Sequence, residues 1–389
     1  MQLAERLKPL QSNVFADMDR AKSKAIFAGQ RIIDLSLGSS DLPAPDGVIN
    51  TIEKALHDPT THAYLLYHGT ENFREKIAQW YENRYGIPVN PHSEVLQLIG
   101  CQEGTAHLPL AILNPGDFAL LLDPGYPSHA GGVYLAGGQI YPMPLLAEND
   151  FLPMFGDIPK EVLTKAKMMI LSYPHNPTAA VAPLSFFEEA VSFAQKHNLV
   201  LVHDFPYMDI FYEDNRPFSI FEADRQKSIS IEFFTFSKSY NMGGFRIGFA
   251  IGNSELIKAL KQVKAVIDFN QYRGILQGAI AALTGSQECV KKTVTTYQQR
   301  RDFLVDALQK IDWEVSPPKA TLYLWAKLPA KWQNKSREFC TQLVEKTGVA
   351  LSPGAGFGKS GEGYVRFALV KDREILKDAV GKIANFLNK

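Results

Sequence analysis

Between residues 94 and 251 the chain alternates short apolar runs with longer stretches whose apolar positions recur about every 3.6 residues. The runs Glu94–Ile99, Phe118–Leu122, Met168–Ser172, Leu199–Val202, Glu232–Thr235 and Gly248–Ile251 are rich in aliphatic and aromatic residues, and several show no polar alternation. Such runs read as strands covered on both faces of a mostly parallel sheet. Between them, Leu184 to His197 sets Phe186, Phe187, Ala190, Val191, Phe193 and Ala194 along one side, which predicts an amphipathic helix. Strand and helix in alternation predict an α/β domain with helices on both faces of the sheet. In that architecture ligands bind beyond the carboxyl ends of the strands.

Composition narrows the function classes without choosing one. A chain of 389 residues suits two lobes sharing an interface. Its 41 basic and 41 acidic residues leave no charge excess to attract nucleic acid or an anionic membrane. Cys101, Cys289 and Cys340 are too few and too scattered for a disulfide framework or a zinc site, so no metal is expected. The charged opening, Met1 to Lys8, lacks the apolar segment of a signal peptide, and no apolar run approaches the roughly 20 residues of a membrane span. A cytoplasmic protein is the expectation. The sequence contains no internal repeat and no low-complexity segment.

The segments that follow the strands are polar and specific. After Leu98-Ile99 comes Gly100-Cys101-Gln102-Glu103-Gly104-Thr105, a small-residue turn into a helical stretch expected over Ala106 to Leu113, of the kind whose backbone N–H groups hold an anion. Asp123-Pro124-Gly125-Tyr126-Pro127 presents an aromatic, and Tyr173-Pro174-His175-Asn176-Pro177-Thr178 brackets Asn176 between prolines. His203-Asp204-Phe205-Pro206-Tyr207 puts a carboxylate where only a cation would make it cheap to bury. Phe234-Thr235-Phe236-Ser237-Lys238 and the later Arg246 bring the cations, a lysine able to act as a nucleophilic amine and a planar fork suited to phosphate. Taken singly, Lys238 reads as a surface lysine, Asp204 as a helix cap, Tyr126 as a turn aromatic and Arg366 as half of a surface ion pair. One cofactor, pyridoxal 5′-phosphate (PLP), accounts for the groups jointly. Lys238 would form the Schiff base, Asp204 would keep the ring nitrogen protonated, and Tyr207 with Asn176 would bond the 3-oxygen. Tyr126 would stack on the ring, while Thr235, Ser237, Arg246 and the turn carrying Cys101, Gln102 and Glu103, mainly by its backbone, would hold the phosphate.

The segments YPHNPT, VHDFPY and FTFSKSYNMGGFRIGF, in that order, resemble the class I/II aminotransferases of PLP fold type I. The likeness runs from IDLSLGSSDLPAP at Ile33, through YLLYHGTENFREKIA at Tyr64, to SPGAGFG and GYVRFAL at Ser352 to Leu369, and is nearest the alanine, aspartate and LL-diaminopimelate aminotransferase branch. The resemblance implies amino transfer from an amino acid to a 2-oxo acid in a ping-pong cycle, with Lys238 moving the α-proton. It implies that Arg366, helped by Asn176, pairs with the substrate carboxylate, that Gly38 approaches the substrate, and that Tyr64 reaches the phosphate of a neighbouring subunit, so that the protein is a homodimer with shared sites. It also implies a large domain over residues 46–277 and a small α+β domain assembled from residues 1–45 and 278–389. Four positions depart from the pattern: Ala179 stands where glycine is usual, Thr235 replaces a serine but keeps the hydroxyl, and Asn13 and Gln102 replace a tyrosine and a lysine that help LL-diaminopimelate aminotransferases hold their long substrate. Two alternatives stay open, a β-lyase on the same fold and a regulator that binds PLP without turnover. His175 and His203 are expected to serve packing.

Overall fold

The computed structural model describes residues 4–10 and 14–388. After two N-terminal helical segments (Glu5–Leu10 and Val14–Phe27) comes a two-residue strand, β1 (Ile33–Asp34), and then one large sheet is built from β2 (Val95–Leu98), β3 (Phe118–Asp123), β4 (Gln139–Pro144), β5 (Ala166–Leu171), β6 (Val200–Asp204), β7 (Ser230–Thr235) and β8 (Gly248–Gly252). The order across the sheet is β2-β8-β7-β6-β5-β3-β4. Neighbours from β4 to β7 are parallel, and β8 runs against both β7 and β2. All six apolar runs form strands of this sheet, and every residue of β2, β7 and β8 is buried. Successive side chains serve opposite faces: Leu201 and Phe234 pack in one core with Phe73 and Phe187, while Val202 and Phe233 pack in the other with Leu108 and Leu260. Burying each such side chain contributes about 2 kcal/mol.

The seventh strand, β4, is not evident from the pattern. Pro142 and Pro144 lie within it, and a residue without an N–H is tolerated because β4 is at the sheet edge. The predicted helix at Leu184 spans Leu184–Lys196. The helix expected from Ala106 starts earlier, at Cys101, and runs to Ile112. Gly104 therefore lies inside the helix, where a β-carbon would come 2.5 Å from the Phe233 ring; its smallness lets helix and sheet meet.

A second, antiparallel sheet has the order β11-β12-β9, from β9 (Tyr323–Lys327), β11 (Ser352–Pro353) and β12 (Tyr364–Ala368). The short β10 (Val349–Ala350) pairs in parallel with β1. Leu324, Phe339, Phe367 and Ile383 share their core with Met18, Ile33 and Leu35 from the start of the chain. A seam ties this region to the large sheet at the carboxyl end of β3: Gly125 N–H donates to Phe357 O at 2.7 Å, and the Ser360 N–H and hydroxyl each reach the Asp123 carboxylate at 3.1 Å. Among the described residues no helix is long and apolar enough to cross a membrane.

Candidate active site

The carboxyl ends of β3, β5, β6 and β7 open on a cavity of about 530 Å³, closed on its other side by the segment after β1, by β12 and by Phe357. Asp204, the last residue of β6, is 3% exposed. Its Oδ2 bonds His129 Nε2 at 3.0 Å, and His129 lies on the helix Pro127–Leu135, three residues after Tyr126. Its Oδ1 is buried and makes no hydrogen bond of ordinary geometry, and the Cys101 thiol neighbours the Asp204 carboxylate. Burial, reinforced by Asp204, pushes the Cys101 thiol well up, so it stays protonated.

Thr235 caps the single helical turn Phe236–Ser239, accepting the Ser237 N–H at 3.2 Å and donating to the Ser237 hydroxyl at 2.9 Å. The turn brings Lys238 back over the strand ends, where its Nζ donates to Gly38 O at 2.5 Å and lies 5.8 Å from the Tyr207 ring centre. Arg246 follows the turn Gly243–Phe245 with φ 53° and donates to Gly243 O at 3.0 Å. Gly100 faces it with φ +78°, a conformation suited to glycine, and a β-carbon there would lie 2.7 Å from Arg246 Nη2. The start of the helix Cys101–Ile112, with Thr235, Ser237 and Arg246, makes a positive, donor-rich corner of the cavity.

Arg366 on β12 is 5% exposed and aimed by three contacts: Nη1 to Asn176 Oδ1 at 2.6 Å, Nη2 to Ser36 O at 2.6 Å, and Nη2 to Ser352 Oγ at 3.3 Å. Its guanidinium lies between the rings of Tyr323, 4.1 Å away, and Phe357, 4.7 Å away, and its Nε has no partner. Tyr207 donates to Tyr323 Oη at 3.0 Å, and Tyr126 to Gln102 Oε1 at 3.3 Å.

Of the residues singled out from the sequence, Glu103 and Tyr64 stand away from this cavity. Glu103 points its side chain off the opposite side of its helix, into a buried ion pair with Lys264 at 2.7 Å, and also accepts the Ile99 N–H; its own N–H goes to Gly100 O. Its carboxylate braces the turn from behind, because residues two apart on a helix do not share a face. Tyr64 is 92% exposed and outside its own chain's cavity. Asn13 lies outside the described residues. His203 is buried between Glu232 at 2.7 Å and the Tyr173 carbonyl at 3.0 Å. Sequence reasoning passed over His129, Tyr323 and Ser36; only His129 carried a signal, its three-residue spacing from Tyr126.

Residues 30–383 match the family model described as aminotransferase class I and II. The chain is 45% identical over 386 residues, 99% of each chain, to an LL-diaminopimelate aminotransferase of Dehalococcoides mccartyi. Among solved structures it superimposes with a TM-score of 0.90 on a probable N-succinyldiaminopimelate aminotransferase from Thermus thermophilus, at 44% identity over 96% of this chain and 99% of the other. An aspartate aminotransferase from Thermus thermophilus gives a TM-score of 0.92 at 25% identity, covering 99% of both chains. With lysine, aspartate and arginine meeting at the strand ends of such a sheet, the chain belongs to the class I and II aminotransferases, with the fold type I architecture, and is a transaminase.

Proposed function

We propose that the cavity binds PLP and that the protein transfers an amino group between an acidic or diamino-dicarboxylic amino acid and a 2-oxo acid, LL-diaminopimelate being the first substrate to test. The observation that carries the cofactor reading is the Asp204 Oδ1 atom, a buried carboxylate oxygen without a proper donor. Such an atom is costly unless a ligand supplies the missing proton, and a protonated pyridine nitrogen does so. The donor-rich corner at Gly100, Thr235, Ser237 and Arg246 has the chemistry of a phosphate site, and Cys101 and Gln102 would contribute from the first helical turn. The substrate range is supported by relatives 42–45% identical that bear the LL-diaminopimelate name, although Gln102 stands where the family resemblance implies a lysine.

When bound, PLP supplies an aldehyde to take up the amino group and an electron-withdrawing ring to accept the electron pair freed at the α-carbon. This chain's residues would do the rest. Lys238 Nζ would anchor the cofactor and, once free, would hold and move the α-proton, with Gly38 O accepting from its ammonium form. Asp204, fixed by His129, keeps a proton on the ring nitrogen. Tyr207 and Asn176 would bond the 3-oxygen, and Tyr126 would cover the ring. Arg366 takes the α-carboxylate, held square by Asn176 and Ser36.

The exposed Tyr64 is assigned to the phosphate site of a second copy, which makes the working protein a homodimer. Division of the chain near residues 45 and 277 into a large body and a small one built from both ends agrees with a seven-stranded sheet separate from the β1-β10 pair and the three-stranded sheet. The test is spectroscopic: purified protein with PLP should be yellow, bleach with glutamate or LL-diaminopimelate, and recover its colour with a 2-oxo acid. A Lys238→Ala protein that still cycled would sink the mechanism, and colour without turnover of any amino donor would sink the transfer.

A further inference from the structure

We infer that Tyr323 is a positioning residue of this site, its hydroxyl donating the hydrogen bond that holds Tyr207 toward the cofactor's 3-oxygen. The inference rests on the PLP reading above. Tyr323 opens β9 in the small sheet and is 2% exposed. Its Oη lies 3.0 Å from the Tyr207 hydroxyl, and the two rings meet edge to face at 5.7 Å. Arg366 covers its ring. A β-carbon on Gly38 would fall 1.7 Å from Tyr323 Oη, so the glycine is what leaves the hydroxyl its place. One phenol thereby touches the cofactor tyrosine, the carboxylate arginine and the backbone that receives Lys238.

Proton accounting decides its part. As the structure stands, Tyr207 donates to Tyr323. Each hydroxyl has one proton, so a Tyr207 that donates to a bound 3-oxygen keeps its Tyr323 contact only if Tyr323 becomes the donor. Surrounding charge favours that reversal. Burial alone would raise the Tyr323 pKa, but the Arg366 cation, then Lys238, then the bond from Tyr207 bring the phenol below its ordinary value. Tyr207 is pushed well up, by burial first and by Tyr323 next, with Tyr126 adding and Arg366 opposing. The Arg366 guanidinium, 4.1 Å from the Tyr323 ring, favours Tyr323 as the donor once Tyr207 is engaged elsewhere.

The test follows the visible absorbance of the PLP-loaded full-length protein against pH. A hydrogen bond delivered to the 3-oxygen favours its anionic form, so Tyr323→Phe should still bind PLP but titrate at a midpoint higher by about half a pH unit. Tyr207→Phe should shift further, and Tyr207→Phe/Tyr323→Phe should match Tyr207→Phe alone, because Tyr323 acts through Tyr207. Phe retains the ring under Arg366, so the KM for the amino acid should hold. Gly38→Ala, which displaces the hydroxyl, should move the midpoint the same way and guards against a folding defect in the phenylalanine variant. A wild-type midpoint in Tyr323→Phe, or additive shifts in the double variant, overturns the inference while leaving the PLP reading intact. A wild-type protein that takes up no PLP overturns both.

Discussion

His129 Nε2 and Asp204 Oδ2 lie 3.0 Å apart, joining the helix after β3 to the last residue of β6. The bond fixes one carboxylate oxygen and leaves the other for a ligand. Asp204→Asn keeps the shape but loses the charge proposed to hold a proton on the ring nitrogen. Its kcat should fall by about a hundredfold or more, on the scale of losing one preorganised electrostatic partner. His129→Asn should cost roughly tenfold, because the carboxylate survives but is less firmly aimed. Steady-state kcat and the rate of bleaching by an amino donor measure both.

Arg366 is fastened to Asn176 and Ser36 and sandwiched by Tyr323 and Phe357. Arg366→Lys retains a charge but not the planar fork. Loss of a paired, charge-assisted contact is worth about 3 kcal/mol, or roughly a hundredfold in kcat/KM, and should fall mainly on KM. Asn176→Ala should raise KM less. Initial rates over a range of amino acid concentrations separate the two terms.

His175 makes the pH prediction. It is fully buried, its Nδ1 meets Thr178 Oγ1 at 2.8 Å, and its Nε2 has no partner. Burial, with a smaller push from His129, drops its pKa from 6.5 to about 3. The unfolded chain binds this proton below about pH 6.5 and the folded chain does not, so stability falls as pH drops through that range. By pH 4.5 the loss relative to pH 7 is about 3 kcal/mol from this group alone. His175→Gln should flatten that part of the curve, as read by denaturant midpoints at successive pH values.

Tyr64, 92% exposed on its own chain, yields a complementation test. Tyr64→Ala and Lys238→Ala proteins should each be impaired, the latter inactive. Unfolded and refolded together, half of the dimers should be hybrids with one complete site, restoring roughly a quarter of the sites. No gain over the unmixed Tyr64→Ala protein would place Tyr64 outside the site.

Six of the seven large-sheet strands were legible because double burial makes their runs mainly apolar, with only a few buried polar residues such as Gln97 and Glu232, and the polar loops after them pointed to the cavity. Pro142 and Pro144 hid β4, an edge position that a one-dimensional pattern does not reveal. Glu103 was misplaced because a turn read as backbone became the first turn of a helix, which carried its side chain to the far face. Tyr323 and Ser36 could not be found from their neighbours in sequence. Tyr323 meets Tyr207 across 116 residues, and Ser36 O meets Arg366 across 330.

That last separation bears on how the protein comes to life in a cell. Ser352 Oγ donates to Ser36 O, Arg366 donates to the same carbonyl, and Leu35 is stitched between Ala350 and Ala368. During synthesis the segment around Ser36 emerges early and waits for nearly the whole chain before its partners exist. Lys238, Asp204 and Arg246 can be in place well before then, as the large sheet closes on shorter loops. With the roles proposed above, the residues for the cofactor depend on shorter chain separations than those that aim Arg366, whose partners form only when the final strands dock.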